Sequence, residues 1–435
     1  MVSGGWKAFR TQLPGKALIF CNAYAKDWNR ARCGMRIQKG GGGGGGMVKD
    51  WAWLRPCHGF TWHFEPMRSQ RPGLRIRTLL IVLLGVIMSL RDTPPVLASE
   101  SLRPALLFHT DVALGEQGAG YFELAAVGAQ AFAASADTPV PMIFPRDVAG
   151  DARDSDGALA TTRFALEQGY TAVVGAGFNY AGPFAALAPE YPDVRFVLID
   201  AVVDAPNVES VLFREEQGSY LVGILAALFS DAGHIGFVGG WDAPIIRKFG
   251  CGFIQGALSV RPDITVDVAM IGHTPQAFYQ ADEGERLAGA MFDAGADVVY
   301  HAAGQSGDGV IRAALDHDAY AIGVDINQNG GAPGHVLTSM LKRVDIAVFS
   351  SLQRMARGTW SAGLTVLGLS EGGVDWALDR HNVQLVSERM HTAVENAEFD
   401  IRTGVINVAV HTEEDGCPVH DFDTDGDAAD SEPRP

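Results

Sequence analysis

Residues 213–257 read FREEQGSYLVGILAALFSDAGHIGFVGGWDAPIIRKFGCGFIQGA. A run of small and apolar residues, Gly218–Phe229, predicts a helix that leads into a short apolar strand around Ile235–Val238. A Gly-Gly-Trp-Asp turn follows, and a second helix starts near Pro244, with proline in its first turn. In parallel α/β sheets such turns stand at the carboxyl ends of strands, where small ligands bind. An aromatic ring, Trp241, and a carboxylate, Asp242, occupy that place. The pattern predicts a ligand-binding protein built from parallel α/β lobes.

Outward from this stretch the same alternation holds from Pro104 onward, with apolar strands separated by amphipathic helices. About ten strands are expected, the first at Ala105–His109 and the last at His335–Ser339, and one compact open sheet seldom carries so many. Two lobes of four to six strands each are therefore expected. Strand-helix alternation makes the sheets parallel, with right-handed crossovers.

The first 98 residues differ in kind from the rest. They carry 15 of the 34 Lys and Arg but only 4 of the 51 Asp and Glu. Residues 99–435 then hold 19 basic against 47 acidic side chains, a formal net of −28. Such acidity argues against nucleic-acid binding, because phosphate contacts need Lys and Arg. Residues 67–98 have the make-up of a secretory signal: Met67, a basic region from Arg68 to Arg77, an apolar run Leu79–Leu90, and small-residue cleavage chemistry after Ala98. A membrane anchor is the alternative reading of that segment. No Cys lies near the cleavage point, so no lipid attachment is expected. Residues 1–66 include the seven glycines Gly40–Gly46, which cannot pack a core. They read either as sequence upstream of a true start at Met67 or as a disordered extension.

In the exported part only Cys251 and Cys417 remain. An oxidising compartment permits a disulfide between them. Cys251 also reads as an ordinary buried thiol in an apolar helix. The stretch 412–435 is acidic and poor in apolar residues, so a disordered tail is expected. Within it Asp421, Asp423, Asp425, Gly426 and Glu432 fit the spacing of a calcium loop, against a default of a solvated tail.

Several residues are candidates for a ligand site. Asp111 and Asp200 follow predicted strands, where a carboxylate can accept hydrogen bonds from a ligand or cap a helix. The turns Gly175-Ala-Gly-Phe178-Asn179 and Gly304-Gln305-Ser-Gly307 let backbone N–H groups approach a ligand, or are simply tight turns. Trp241 can wall one side of a flat ring or pack near a hinge. His301 either lines the cleft or packs beneath it. No GxxxxGK[ST] loop is present, and in the exported part neither a GxSxG elbow nor HExxH or paired CxxC spacing, so no phosphate loop, hydrolase triad or zinc site is expected. The expectation is binding without catalysis and without a cofactor.

Six segments carry a resemblance: FREEQGSYLVGILAAL (213–228), GFVGGWDAPIIRKFGCGFIQGA (236–257), GADVVYHAAGQSGDGV (295–310), AIGVDINQ (321–328), VLTSMLKRVDIAVF (336–349) and GLSEGGVDW (368–376). In order and spacing the chain resembles, over roughly 105–411, the basic membrane protein family of ABC-transporter substrate-binding proteins, whose characterised members bind purine nucleosides. The resemblance implies two Rossmann-like α/β lobes joined by a hinge, a type I periplasmic-binding-protein fold, with lobe 1 from 104–213 plus 343–372 and lobe 2 from 214–342 plus 373–411. It implies that Asp325 binds ribose hydroxyls, with Lys342 near the same sugar or held in a structural ion pair. The family's Ser-Phe-Asn-like triplet is here Gly120-Tyr121-Phe122. Tyr121 can stack on a base and also hydrogen bond, or belong to the core. Phe122 has no donor or acceptor to replace the amide. The ligand is thus left open between a purine nucleoside and another flat molecule, such as a flavin or other vitamin, with a nucleoside hydrolase as the alternative from another class. The implied partner is a membrane permease, and a monomeric periplasmic protein is expected.

Overall fold

The computed structural model describes residues 17–22 and 32–37, then 102–112, 114, 120–148, 157–412 and 414–422. The predicted signal segment 67–98 and the Gly40–Gly46 run lie outside the described residues. The chain divides into two units, Met1–Pro94 and Pro95–Pro435. In the first, β1 (Ala17–Asn22) and β2 (Arg32–Ile37) pair antiparallel.

The second unit contains two six-stranded sheets. One is built from β3 (Pro104–Leu107), β4 (Met142–Ile143), β5 (Ala172–Gly175), β6 (Arg195–Ile199), β7 (Val208–Phe213) and β13 (Gly363–Leu367). Its order is β13-β7-β6-β5-β3-β4, and every pairing is parallel. The other holds β8 (His234–Trp241), β9 (Thr265–Gly272), β10 (Val298–Ala302), β11 (Tyr320–Asp325), β12 (Val336–Lys342) and β14 (Val374–Trp376). Its order is β14-β12-β11-β10-β8-β9, parallel except for the antiparallel edge pair β12–β14. All residues of β3, β5 and β10 are buried, the mark of strands covered on both faces.

Three passages link the sheets: from β7 into α4 (Glu215–Phe229), from β12 into α8 (Val344–Ala356), and from β13 to β14. Helix α4 packs on α5 (Pro244–Val260) beside the second sheet, and α8 packs on α1 (Gly120–Ala136) beside the first. The α4–α5 contact explains the small residues of the opening stretch. A Cβ on Gly256 would stand 2.0 Å from the Tyr220 carbonyl oxygen, and one on Gly223 2.1 Å from that of Phe253. The helix backbones meet there, and neither can retreat without shifting a whole helix. Gly256→Ala is expected to cost about 1–3 kcal/mol through overpacking, despite alanine's better helix propensity. A urea melt of the two proteins measures it.

In the second unit the periodicity did not predict three elements: β13, β14 and α9 (Glu388–Arg402), whose N-cap Ser387 side chain accepts the Met390 N–H; in the first unit the β1–β2 pair was likewise not expected. The end of the chain also departs from expectation. Cys417 is disulfide-bonded to Cys251, so Cys251 is not an ordinary buried thiol. Phe422 is 5% exposed, and its ring occupies the space that a side chain on Gly250 would need. Residues 414–422 therefore pack on the second lobe, tied by a covalent bond and one aromatic anchor that the acidic composition conceals. Of the proposed calcium loop only Asp421 is described; Asp423, Asp425, Gly426 and Glu432 lie outside the described residues. No helix among the described residues is long and apolar enough to cross a membrane.

Candidate functional site

Parallel strands deliver their carboxyl ends to the same side of each sheet, and the loops there converge on one cleft. Two of those ends share a rare backbone feature. Asp200 follows β6 directly with φ 68°, and Asp325 ends β11 with φ 64°. Left-handed backbone is costly for residues other than glycine, is best tolerated by Asn and Asp, and concentrates at functional sites. One lobe thus contributes Asp200 and the other Asp325, each turned by its backbone into the cleft, and both line it.

Lys342, the last residue of β12, stands between them. Its side chain is 3% exposed, and its ammonium lies 2.8 Å from Asp200 Oδ1 and 3.1 Å from Glu215 Oε1. The rings of Phe213, Tyr121 and Phe249 surround it at 5.0, 5.6 and 5.8 Å. Burial alone would push the lysine pKa down, but Asp200, Glu215 and Asp325 outweigh it and hold the ammonium above the ordinary lysine value. Burial raises the Asp325 carboxyl to about 6, with Lys342 opposing and Asp200 and Glu215 reinforcing the rise. Tyr121 is also pushed well above its usual value, first by burial and then by Asp200. One cation at the floor of the cleft is therefore surrounded by three carboxylates, Asp200 and Asp325 in the floor and Glu215 buried behind it.

The walls are apolar. From the first lobe come Tyr121, Phe122, Phe178 and Asn179; from the second Ile245, Ile246, Phe249, Phe278, Gly304, Gln305 and Gln328. Ile245 and Phe249 lie four residues apart in the first turns of α5, and so on one helix face. Phe122 meets His109 edge-on at 5.4 Å and Phe108 at 5.8 Å, which fixes its ring against the cleft wall.

Three expected site residues sit elsewhere. Asp111 lies outside the cleft lining and accepts a hydrogen bond from the Arg146 backbone N–H at 3.1 Å. The reason is local: β3 ends at Leu107, so Asp111 is four residues past the strand, where the chain has already turned away. Trp241 does not line the cleft; its ring packs against Phe178 of the other lobe at 5.3 Å. His301 is fully buried inside β10, pressed against Gly307, where a Cβ would stand 2.0 Å from its ring. Burial lowers its pKa to about 4, so it is neutral at pH 7 and packs beneath the site. Tyr121, Phe122, Phe178, Asn179, Asp200, Gly304, Gln305, Asp325 and Lys342 are brought together. Glu215, Gln328 and the Ile245–Phe249 face went unrecognised. Glu215 carried a faint signal, as an acid at the head of an otherwise apolar helix. Among the described residues no group of three or more His, Cys, Asp or Glu side chains is placed to hold a metal.

Comparison with known proteins fits this geometry. The family Bmp, described as ABC transporter substrate-binding protein PnrA-like, matches residues 149–408. The ABC transporter nucleoside-binding protein BmpA of Lactococcus lactis subsp. cremoris is 33% identical over 263 residues, covering 56% of this chain and 72% of that protein. Basic membrane protein D of Borreliella burgdorferi is 32% identical over 252 residues, again covering 56% and 72%. An uncharacterised lipoprotein of Pyrococcus furiosus is 33% identical over 224 residues, covering 48% and 56%. Among solved structures, ABC transporter system solute-binding proteins from Aeropyrum pernix K1 superpose with a TM-score of 0.60 at 25% identity, covering 72% of this chain and 94% of that one. The family match spans more than half of the sequence, and the two-lobed parallel fold agrees with it: the chain belongs to the Bmp family of PnrA-like ABC transporter substrate-binding proteins.

Proposed function

We propose that this substrate-binding protein takes a purine nucleoside, or a similarly flat and hydroxyl-bearing solute, between lobes 104–213 plus 343–372 and 214–342 plus 373–411. It would then present the solute, as an exported monomer, to the permease of an ABC importer. The observation that carries the reading is the pairing of an aromatic-walled cleft with a floor of Asp200, Asp325 and Lys342. A flat ring fits between Tyr121, Phe178 and the Ile245–Phe249 face, where apolar burial favours it. Hydroxyl and N–H donors then meet carboxylates, whose hydrogen bonds are the strong, charge-assisted kind. A ligand touching both lobes favours the closed state, because it stabilises whichever conformation it binds better. The name of the Lactococcus relative, a nucleoside-binding protein, supports the same reading.

Phe122 favours a second reading, since an apolar ring at that wall suits a larger flat ligand such as a flavin. Titration calorimetry of the full chain separates the two. Inosine, adenosine or guanosine is expected to bind with Kd of about 1 µM or tighter, ~8 kcal/mol. Binding of riboflavin with no heat from any nucleoside would overturn the first reading. Release of free base from inosine would overturn binding without chemistry; buried, neutral His301 gives no support to a base-catalysed step.

A further inference from the structure

Lys342 is held by two acids that differ in one respect. Asp200 directly follows β6 of the first sheet, so its contact with Lys342 crosses the cleft and is lost when the lobes separate. Glu215 is the first residue of α4, which packs beside the second sheet, as does the strand that carries Lys342. That contact survives opening. Glu215 is 1% exposed, does not line the cleft, and gains from lying at a helix N-terminus. Its other oxygen lies 3.9 Å from Lys248. Asp325, by contrast, has no hydrogen bond or ion pair to its carboxylate among the described residues, although it lines the cleft beside the same lysine.

We infer that Glu215 is a positioning residue that anchors Lys342 within the second lobe, so that the Asp325 carboxylate stays unpaired and open to donor groups of the ligand. Without Glu215, opening of the cleft would strip Lys342 of Asp200 and leave Asp325 as its nearest partner. The ammonium would then neutralise the carboxylate, and an incoming ligand would first have to break that pair. The groups facing Asp325 are Lys342 from β12, Asp200 beyond β6, Glu215 from α4, and the hydroxyl rings of Tyr121 and Tyr300. The inference rests on the cleft being the ligand site and does not depend on which ligand occupies it.

Two ligand-free NMR measurements on the full chain test it. In 15N-lysine-labelled protein the Lys342 ammonium signal should exchange slowly in the wild type and persist in Asp200→Asn, whose cross-cleft contact is weakened. It should broaden away in Glu215→Gln. In 13C-aspartate-labelled protein, with Asp325 assigned through Asp325→Asn, the Asp325 midpoint should fall in Glu215→Gln by about one pH unit. The fall has two causes: one nearby acid is gone, and the released ammonium moves toward Asp325. An unchanged Lys342 signal in folded Glu215→Gln, or an Asp325 midpoint that stays or rises, overturns the assignment. Should Glu215→Gln fail to fold, the Asp200→Asn spectrum decides alone, and loss of the Lys342 signal there overturns it. Neither measurement uses a ligand, so a protein that binds no nucleoside would sink the proposed ligand and leave Glu215 decided on its own evidence.

Discussion

Lys342→Met should destabilise the protein by about 3–5 kcal/mol, the range for removing one partner of a buried charge cluster. Asp200 and Glu215 lie within 3.1 Å of the ammonium, and neither side chain is more than 5% exposed, so water cannot take the lysine's place cheaply. The loss has a pH signature. In the wild type the lysine pKa is raised above its ordinary value. A raised lysine contributes stability that is fully present below its unfolded pKa and fades only as pH rises through the folded one. At neutral pH the whole contribution is therefore available to be lost. In the variant Asp325, whose carboxyl burial already raises, loses the ammonium that opposes the rise, and the like-charge penalty of the cluster shrinks as acid protonates it. The difference in urea midpoint between variant and wild type should be large at pH 8 and clearly smaller at pH 5. Equal deficits at both values would mean that the lysine stabilises by packing against Phe213, Tyr121 and Phe249 rather than by charge.

Much of the frame was legible because its signals are local. Alternating apolar strands and helices from Pro104 onward predict parallel sheets, and they form. Elements without that periodicity escaped notice: β14 is three residues long, and the moderately amphipathic α9 is polar on average. The site was partly legible for the same reason. Asp200 and Asp325 stand at true strand ends, and a strand end is visible in sequence. Asp111 misled because the apolar run extends past Leu107 as Phe108-His109, while the strand itself stops at Leu107. Trp241 and His301 stand at plausible places, but side-chain direction decides their roles: Trp241 turns to Phe178 of the other lobe, and His301 packs against Gly307 of its own. Glu215 was hidden because its partner lies 127 positions further along the chain, at Lys342. Segment 414–422 looked disordered since composition averages over the few side chains, Cys417 and Phe422, that hold it.

Asp325→Ala should weaken nucleoside binding at least tenfold, ~1.4 kcal/mol, and loss of a charged acceptor in a mainly apolar cleft puts the cost nearer 1.5–3 kcal/mol. Stability should move the other way. The Asp325 carboxyl is raised to about 6 in the folded protein, mainly by burial. A raised acid opposes folding wherever it is ionised: the penalty is absent below the unfolded carboxylate range and complete above pH 6. Removing the carboxylate at pH 8 should therefore leave the melting temperature unchanged or higher while affinity falls. Opposed effects of this kind mark a residue kept for binding at a cost in stability. The same shift fixes the pH dependence of the wild type. Ligand hydroxyls donate best to the ionised carboxylate, so affinity should be constant above about pH 7 and decline as pH falls through about 6. Asp325→Asn should lack this decline, since an amide does not titrate there. Calorimetric titrations at pH 5, 6 and 8 on both proteins decide the matter. If the wild type and Asp325→Asn lose affinity in parallel, the titrating group lies elsewhere in the cleft.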